Sequence, residues 1–137
     1  MKKVTIYSRG TCDTSSREGS YFIKLDYMGK YKGFTGPCYD ATVNRCIIQG
    51  LIEGVKKVKE PCKIQLITAT KIGVKKYVRS RKGTNKDLLA ELLLLLEKGL
   101  HHYTFTVLEG EGVWLRNEIE SAIIPISYAV PPWEELP

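Results

Sequence analysis

Carboxylates, histidines, thiols and a run of cations are the residues of this 137-residue chain that could do chemistry. Asp13, Asp40, Glu53, Glu109, Glu111, Glu118 and Glu120 are the pool of acids that a metal or acid/base site could draw on, and acidic loop and helix-start residues are usually just solvated. His101 and His102 are neighbours, project to opposite sides of any strand they enter, and have no nucleophile at a triad-like spacing. Cys12, Cys38, Cys46 and Cys62 form neither a Cys-x-x-Cys pair nor the paired spacing of a zinc site, so reduced, mostly buried thiols are expected. No Gly-rich phosphate loop occurs. No metal and no cofactor are expected from these patterns.

The cations say more. Lys and Arg number 21 against 15 Asp and Glu, a net charge of +6. Residues 56–86 alone hold eleven of them, among them Lys71, Lys75, Lys76, Arg79, Arg81 and Lys82, against Glu60. Such a concentration suits a surface facing a polyanion, and the plain alternative is a solvated helical face.

Elements must hold these groups in place. Val4–Tyr7 reads as a first strand, Ser8–Gly19 as a Ser/Thr/Gly-rich loop, and Ser20–Tyr27 as a half-buried strand in which Tyr21, Ile23, Leu25 and Tyr27 alternate with Lys24 and Asp26. Met28-Gly29-Lys30 turns the chain into a third antiparallel strand, Tyr31–Thr35, ended by Gly36-Pro37. Val43, Ile47, Leu51, Val55 and Val58 recur at helical spacing, with Asp40 or Thr42 available as N-cap. Gly50 and Gly54 inside that helix predict its close approach to a sheet.

An alternating strand, Cys62–Thr68, follows, and the crossover predicts that it lies parallel to the first. The pattern then predicts a short basic helix over Lys71–Ser80, a long helix over Thr84–Lys98, a strand over Tyr103–Leu108 and a helix over Leu115–Ile124. The class is α/β, with a mixed sheet.

Length and a 43% hydrophobic share suit one domain, read as residues 1–124, followed by a proline-rich tail, 125–137, carrying Trp133. No stretch is apolar enough for a membrane span, and the charged N-terminal strand lacks the apolar core of a secretory signal, so a cytoplasmic location is expected.

With the elements in this order, the sequence resembles type 1 ribonuclease H across nearly its whole length. Val4-Thr5-Ile6-Tyr7-Ser8-Arg9-Gly10-Thr11-Cys12 is similar to the family's first-strand Thr-Asp-Gly-Ser segment. Thr42-Val43-Asn44-Arg45-Cys46-Ile47 is similar to its Thr-Asn-Asn-Arg-x-Glu helix start, Leu66–Lys71 to the strand end reading Ser/Thr-Asp-Ser, and Asn85-Lys86-Asp87-Leu88-Leu89 to its Asn-x-Asp-Leu-Trp opening. Phe105–Ser121 lies without a gap on the last strand, loop and helix, where Gly110 and Asn117-Glu118 match. The resemblance implies a ribonuclease H-like fold with three antiparallel strands, then two parallel ones, flanked by helices.

The departures fall on the chemistry. Four carboxylates in the family hold two divalent ions at the scissile phosphate; the matching positions here are Arg9, Ile47, Ala69 and Ser121, and Glu111 stands where the family has a mobile histidine. Mg²⁺ needs hard oxygen ligands, and a guanidinium at position 9 places a fixed positive charge where a cation would sit. The resemblance therefore implies a fold without its nuclease chemistry, which binds double-stranded nucleic acid, an RNA:DNA hybrid or a duplex, through Thr42 and Asn44 and the surface of Lys71, Lys75, Lys76, Arg79, Arg81 and Lys82, with Arg9 free to pair with a phosphate. Two alternatives accompany it: a protein-interaction or structural module, as a homodimer or with a partner, and a nuclease whose metal site has moved to the acids named above.

Overall fold

The computed structural model describes residues 1–123, and its sheet holds five strands in the order β3-β2-β1-β4-β5. β1 (Lys3–Cys12), β2 (Gly19–Tyr27) and β3 (Lys30–Cys38) form an antiparallel meander. α1 (Val43–Lys56) carries the chain across one face to β4 (Lys63–Thr68), parallel to β1. α2 (Val74–Ser80) and α3 (Lys86–Lys98) lead to β5 (His102–Val107), parallel to β4, and α4 (Gly112–Glu120) follows on the opposite face. The mixed α/β sheet, three strands antiparallel and two parallel, is the one the sequence implies.

Alternation along the strands sorts side chains to the two layers. Val4 and Ile6 of β1, Ile23 and Leu25 of β2, and Ile64 and Leu66 of β4 are buried against Ile48, Leu51, Ile52 and Val55 of α1, with Leu89, Leu92, Leu93 and Leu96 of α3 closing the same core. Thr42 caps α1, its Oγ1 accepting the Arg45 N–H at 3.2 Å. The close approach predicted from the helix glycines is present: a Cβ on Gly50 would stand 2.4 Å from Ser8 Oγ, and one on Gly54 2.8 Å from Ile6 Cγ2. On the other face Leu115 and Ile119 of α4 pack with Ile67, against Tyr7, Phe22 and Ala69.

Several boundaries differ from the sequence expectation. Half of the Ser8–Gly19 loop is strand: Ser8 through Cys12 pairs with Ile23 through Gly19, leaving residues 13–18 as the connection. Cross-strand pairing outweighs the weak strand preference of Ser, Gly and Thr there. β3 runs past Thr35 to Cys38 and includes Pro37, tolerated because β3 is an edge strand. The outward side is marked by Gly33, whose N–H donates to Ala122 O at 3.1 Å; Pro37, four residues on, would point its missing N–H the same way.

α2 starts at Val74 rather than Lys71, after Gly73 at φ 82°, and α3 starts at Lys86 rather than Thr84, after Asn85 at φ 65°. α4 spans Gly112–Glu120, beginning three residues earlier than its apolar pattern suggests. His102 opens β5, while His101 precedes the strand and is buried, its Nδ1 accepting the Cys62 N–H at 3.1 Å. All four cysteines are free thiols, three buried and Cys12 half-buried. The boundary at 124 and the tail at 125–137 lie outside the described residues. Among those described, no helix is long and apolar enough to cross a membrane.

Candidate functional site

The C-terminal ends of β1 and β4 and the start of α1 lie at one end of the sheet, and α4 crosses the opposite face to β3, where Ala122 O accepts the Gly33 N–H. Ser8 is buried and its Oγ donates to Ile47 O at 2.8 Å, tying β1 to α1 one residue before Arg9. Gly10 makes the junction tight, since a Cβ there would stand 2.6 Å from Cys46 Cβ and 2.8 Å from Val43 O. Arg9 turns to the other face. Its guanidinium lies 4.8 Å from the centre of the Phe22 ring, and Nη1 is 3.7 Å from Glu120 Oε1 on α4.

Ala69 packs in the cluster of Phe22, Leu115 and Ile119, while Ser121, the C-cap of α4, donates its hydroxyl to Glu118 O at 2.9 Å. Arg9 and Ala69 thus lie on the face covered by α4, while Ser121 sits at the end of that helix next to Ala122, whose carbonyl accepts the Gly33 N–H of the edge strand β3. Ile47 lies on the α1 side, its carbonyl accepting from Ser8 and its side chain buried in the α1 core. The donor set that these four positions offer, a guanidinium, two aliphatic chains and one hydroxyl, does not fit a pair of divalent cations.

Most of the other acids that could have replaced those donors are engaged elsewhere. Asp13 Oδ1 accepts the N–H groups of Ser15 and Ser16 at 2.8 and 3.1 Å, which lowers its pKa. Asp40 pairs with Arg17, Glu53 with Lys56, Glu109 with Lys71 and Glu118 with Lys24. Glu111 is exposed just ahead of α4. Among the described residues, no three or more His, Cys, Asp or Glu side chains are grouped so as to hold a metal ion.

Beside this centre the start of α1 meets α3. Arg45 forks onto Asp87, Nη1 to Oδ1 at 3.0 Å and Nη2 to Oδ2 at 2.8 Å, and Nη1 also donates to Asn85 Oδ1 at 3.2 Å. The guanidinium holds the Asp87 carboxyl down at about 2. A cleft of about 180 Å³ opens next to this clamp, lined by Asn44, Lys71, Lys76, Gly83, Thr84 and Asn85. Thr42 is exposed and Asn44 half-buried.

Lys71, Lys75, Lys76, Arg79, Arg81 and Lys82 are all exposed. Lys71 reaches Glu109 at 3.3 Å and Arg81 stacks on Tyr77 at 5.2 Å; the other four form no ion pair among the described residues. The cationic segment read as one region divides in space. β4 runs through it, so Lys63 stands at one end of that strand and Lys71 beyond the other, about 20 Å apart along six residues. Only the part from Lys71 onward lies at the end of the sheet that carries Arg9.

Two features escaped the sequence reading. The Arg45–Asp87 clamp joins residues 42 apart, and its only trace is the pair of local segments in which they sit. Lys24, placed by alternation opposite the core, is buried under α4 with its Nζ 2.8 Å from Glu118 Oε1 and 4.6 Å from the Tyr31 ring centre.

Comparison with known proteins matches this architecture. No family model matches the chain. It is 38% identical over 127 residues to a ribonuclease H of Caldicellulosiruptor saccharolyticus, covering 82% of this chain and 86% of that protein. A ribonuclease H of Legionella pneumophila (strain Lens) is 27% identical over 133 residues, 88% of this chain and 93% of that one. A third, from Sulfurovum sp., is 35% identical over 74 residues, and there the chain spans half the relative's length. Among solved structures, LC11-RNase H1 superimposes with a TM-score of 0.67 at 13% identity, covering 90% of this chain and 96% of that one. The same protein in complex with RNA/DNA hybrid gives 0.63 at 12% identity, with 87% and 98% covered.

Proposed function

The chain belongs to the ribonuclease H family, and we propose that it is a member that binds double-stranded nucleic acid, an RNA:DNA hybrid or a duplex, without cleaving it. The observation that carries this reading is the cleft between Asn44, Lys71, Lys76, Thr84 and Asn85, which sits at the same end of the sheet as Arg9 and beside exposed, unpaired cations. Amide and hydroxyl groups on its walls donate to phosphate oxygens, and the two ammonium groups supply charge. The fold neighbour crystallised with RNA/DNA hybrid supports the choice of ligand.

In this reading Thr42 and Asn44 fix the position of one strand, while Lys75, Lys76, Arg79 and Lys82 neutralise phosphates of the other. Arg9 takes a phosphate at the centre. The guanidinium, held over Phe22, turns its N–H edge from the loose pair with Glu120 to a bidentate phosphate contact. Activation of water by bound metal would have to rest on the Glu120 carboxylate, which already faces the Arg9 guanidinium at 3.7 Å, since Ile47 and Ala69 offer no side-chain oxygen and the Ser121 hydroxyl is turned to Glu118 O.

The test is binding of blunt hybrid, DNA duplex and single strand across a salt series, with a parallel cleavage assay in Mg²⁺ and Mn²⁺. Each neutralised phosphate adds about 0.7–0.9 to the slope of log K against log salt, so substituting Lys75, Lys76 and Arg79 with Ala together lowers it by about two to three. No binding at about 50 mM salt, or an unchanged slope, overturns the interface. Cleavage that disappears in Glu109→Gln or Glu111→Gln establishes a relocated metal site instead.

A further inference from the structure

A second concavity, of about 380 Å³, lies between the end of β3, α1 and the start of α3, away from the centre at Arg9. Tyr21, Tyr39, Arg45, Gln49, Glu53 and Leu88 line it. Arg45, Gln49 and Glu53 are spaced by four, so they form one stripe along α1, a different stripe from Ile47. The volume is in the range of small-ligand pockets, with aromatic walls and a few convergent polar groups.

Its polar groups are only partly used. Glu53 Oε2 accepts from Gln49 Nε2 and from Lys56 Nζ, both at 3.1 Å, while its Oε1 takes no bond among the described residues. Arg45 is committed to Asp87 and Asn85 and serves as a rigid wall. Tyr39, at 73% exposed, stands at the rim with no partner among the described residues. The loop that carries it is pinned: Asp40, at φ 48°, pairs with Arg17 at 3.1 Å, and the Ala41 N–H donates to Arg17 O at 2.9 Å. Three residues after Tyr39 comes Thr42, where the proposed contact with a nucleic-acid strand begins.

We propose that this cavity takes one unpaired nucleobase, stacked on Tyr39, from a single-stranded extension of the bound duplex. The inference rests on the nucleic-acid reading above and narrows it. A paired base has both faces covered by its neighbours and its polar edge covered by its partner. An unpaired base offers a π-face to Tyr39 and donor groups to the acceptors of Gln49 and Glu53. The ligand is therefore a junction of duplex and single strand rather than an uninterrupted duplex.

The experiment uses the full chain and one RNA:DNA hybrid, blunt or carrying a four-nucleotide extension at each end of each strand in turn, with 2-aminopurine placed along the extension. One polarity of extension is expected to tighten binding about tenfold, and 2-aminopurine emission is expected to fall at one position. Tyr39→Ala should remove both effects and leave the affinity for blunt hybrid unchanged, and Tyr39→Trp should keep them. Equal affinity for blunt and extended hybrids, or a gain and quench that persist in Tyr39→Ala, overturns this assignment alone. Failure to bind any of these hybrids overturns the nucleic-acid reading itself.

Discussion

Lys24 and Glu118 join the sheet to α4 through an ion pair of 2.8 Å in which the lysine is 5% exposed and the carboxylate side chain is about one-third exposed. The rings of Tyr7 and Tyr31 lie 5.6 and 4.6 Å from the ammonium and complete its enclosure. This is the polar fastening beneath the helix whose end carries Glu120 and Ser121.

The asymmetry of exposure sets the outcome of breaking the pair. Glu118→Gln leaves a buried ammonium without its anion and is expected to lower unfolding free energy by about 2 kcal/mol. Lys24→Met keeps the apolar stem among the two tyrosines and leaves Glu118 partly hydrated, so its expected cost is below about 1 kcal/mol. Urea titration of both variants decides it; equal losses would mean that the pair contributes by packing alone.

Stability toward acid has two separate steps. Burial lowers the His101 pKa below its ordinary value while its Nδ1 accepts the Cys62 N–H, so its contribution is present above about 6.5 and is lost as pH falls through the lowered folded value. Asp87, held at about 2 by Arg45, contributes stability that is present above about 4 and is lost between about 4 and 2. Its side chain is 63% exposed, so solvent screening keeps that contribution to no more than about 1 kcal/mol. Thermal melts against pH should show the first step absent in His101→Gln and the second absent in Asp87→Asn.

Gly50 is a case in which helix propensity and packing oppose each other. Alanine would gain about 1 kcal/mol in an open helix. Here its Cβ would meet Ser8 Oγ at 2.4 Å and Ile23 Cγ2 at 2.9 Å, and Ser8 cannot move without losing its buried bond to Ile47 O. Gly50→Ala is expected to cost about 1–3 kcal/mol net. Adding Ser8→Ala should recover part of it, and a stabilised single variant would contradict the contact.

These contacts also mark where sequence stops being informative. The element order and the mixed sheet follow from local periodicities, which is why Ile23 and Leu25 or Leu51 and Val55 could be assigned to a core directly. Lys24 sits correctly on the face opposite Ile23, yet period-2 alternation says nothing of a second layer on that face, and α4 comes from 94 residues away. Ser8–Cys12 read as loop from composition because its pairing with β2 is visible only in three dimensions. The cationic run 56–86 is contiguous in sequence and divided in space by a strand. The match of Arg9, Ile47, Ala69 and Ser121 to the family's metal-binding positions comes only from the resemblance, since no spacing rule connects four elements of different type.

Arg9 and Glu120 give the sharpest test of that centre. At 3.7 Å, with the glutamate side chain about half exposed, their pair is worth between zero and about 1 kcal/mol, so it holds Arg9 only loosely against a competing anion. A backbone phosphodiester offers two acceptor oxygens and a full negative charge in a bidentate contact, and binding it requires displacing Glu120. Glu120→Gln is therefore expected to tighten blunt-hybrid binding two- to fivefold at low salt, and Arg9→Ala to weaken it about tenfold and lower the salt slope by roughly 0.7–0.9. The double variant should resemble Arg9→Ala, because Glu120 acts only through the guanidinium. If Glu120→Gln tightens binding equally with and without Arg9, the carboxylate repels the ligand at long range and Arg9 makes no phosphate contact.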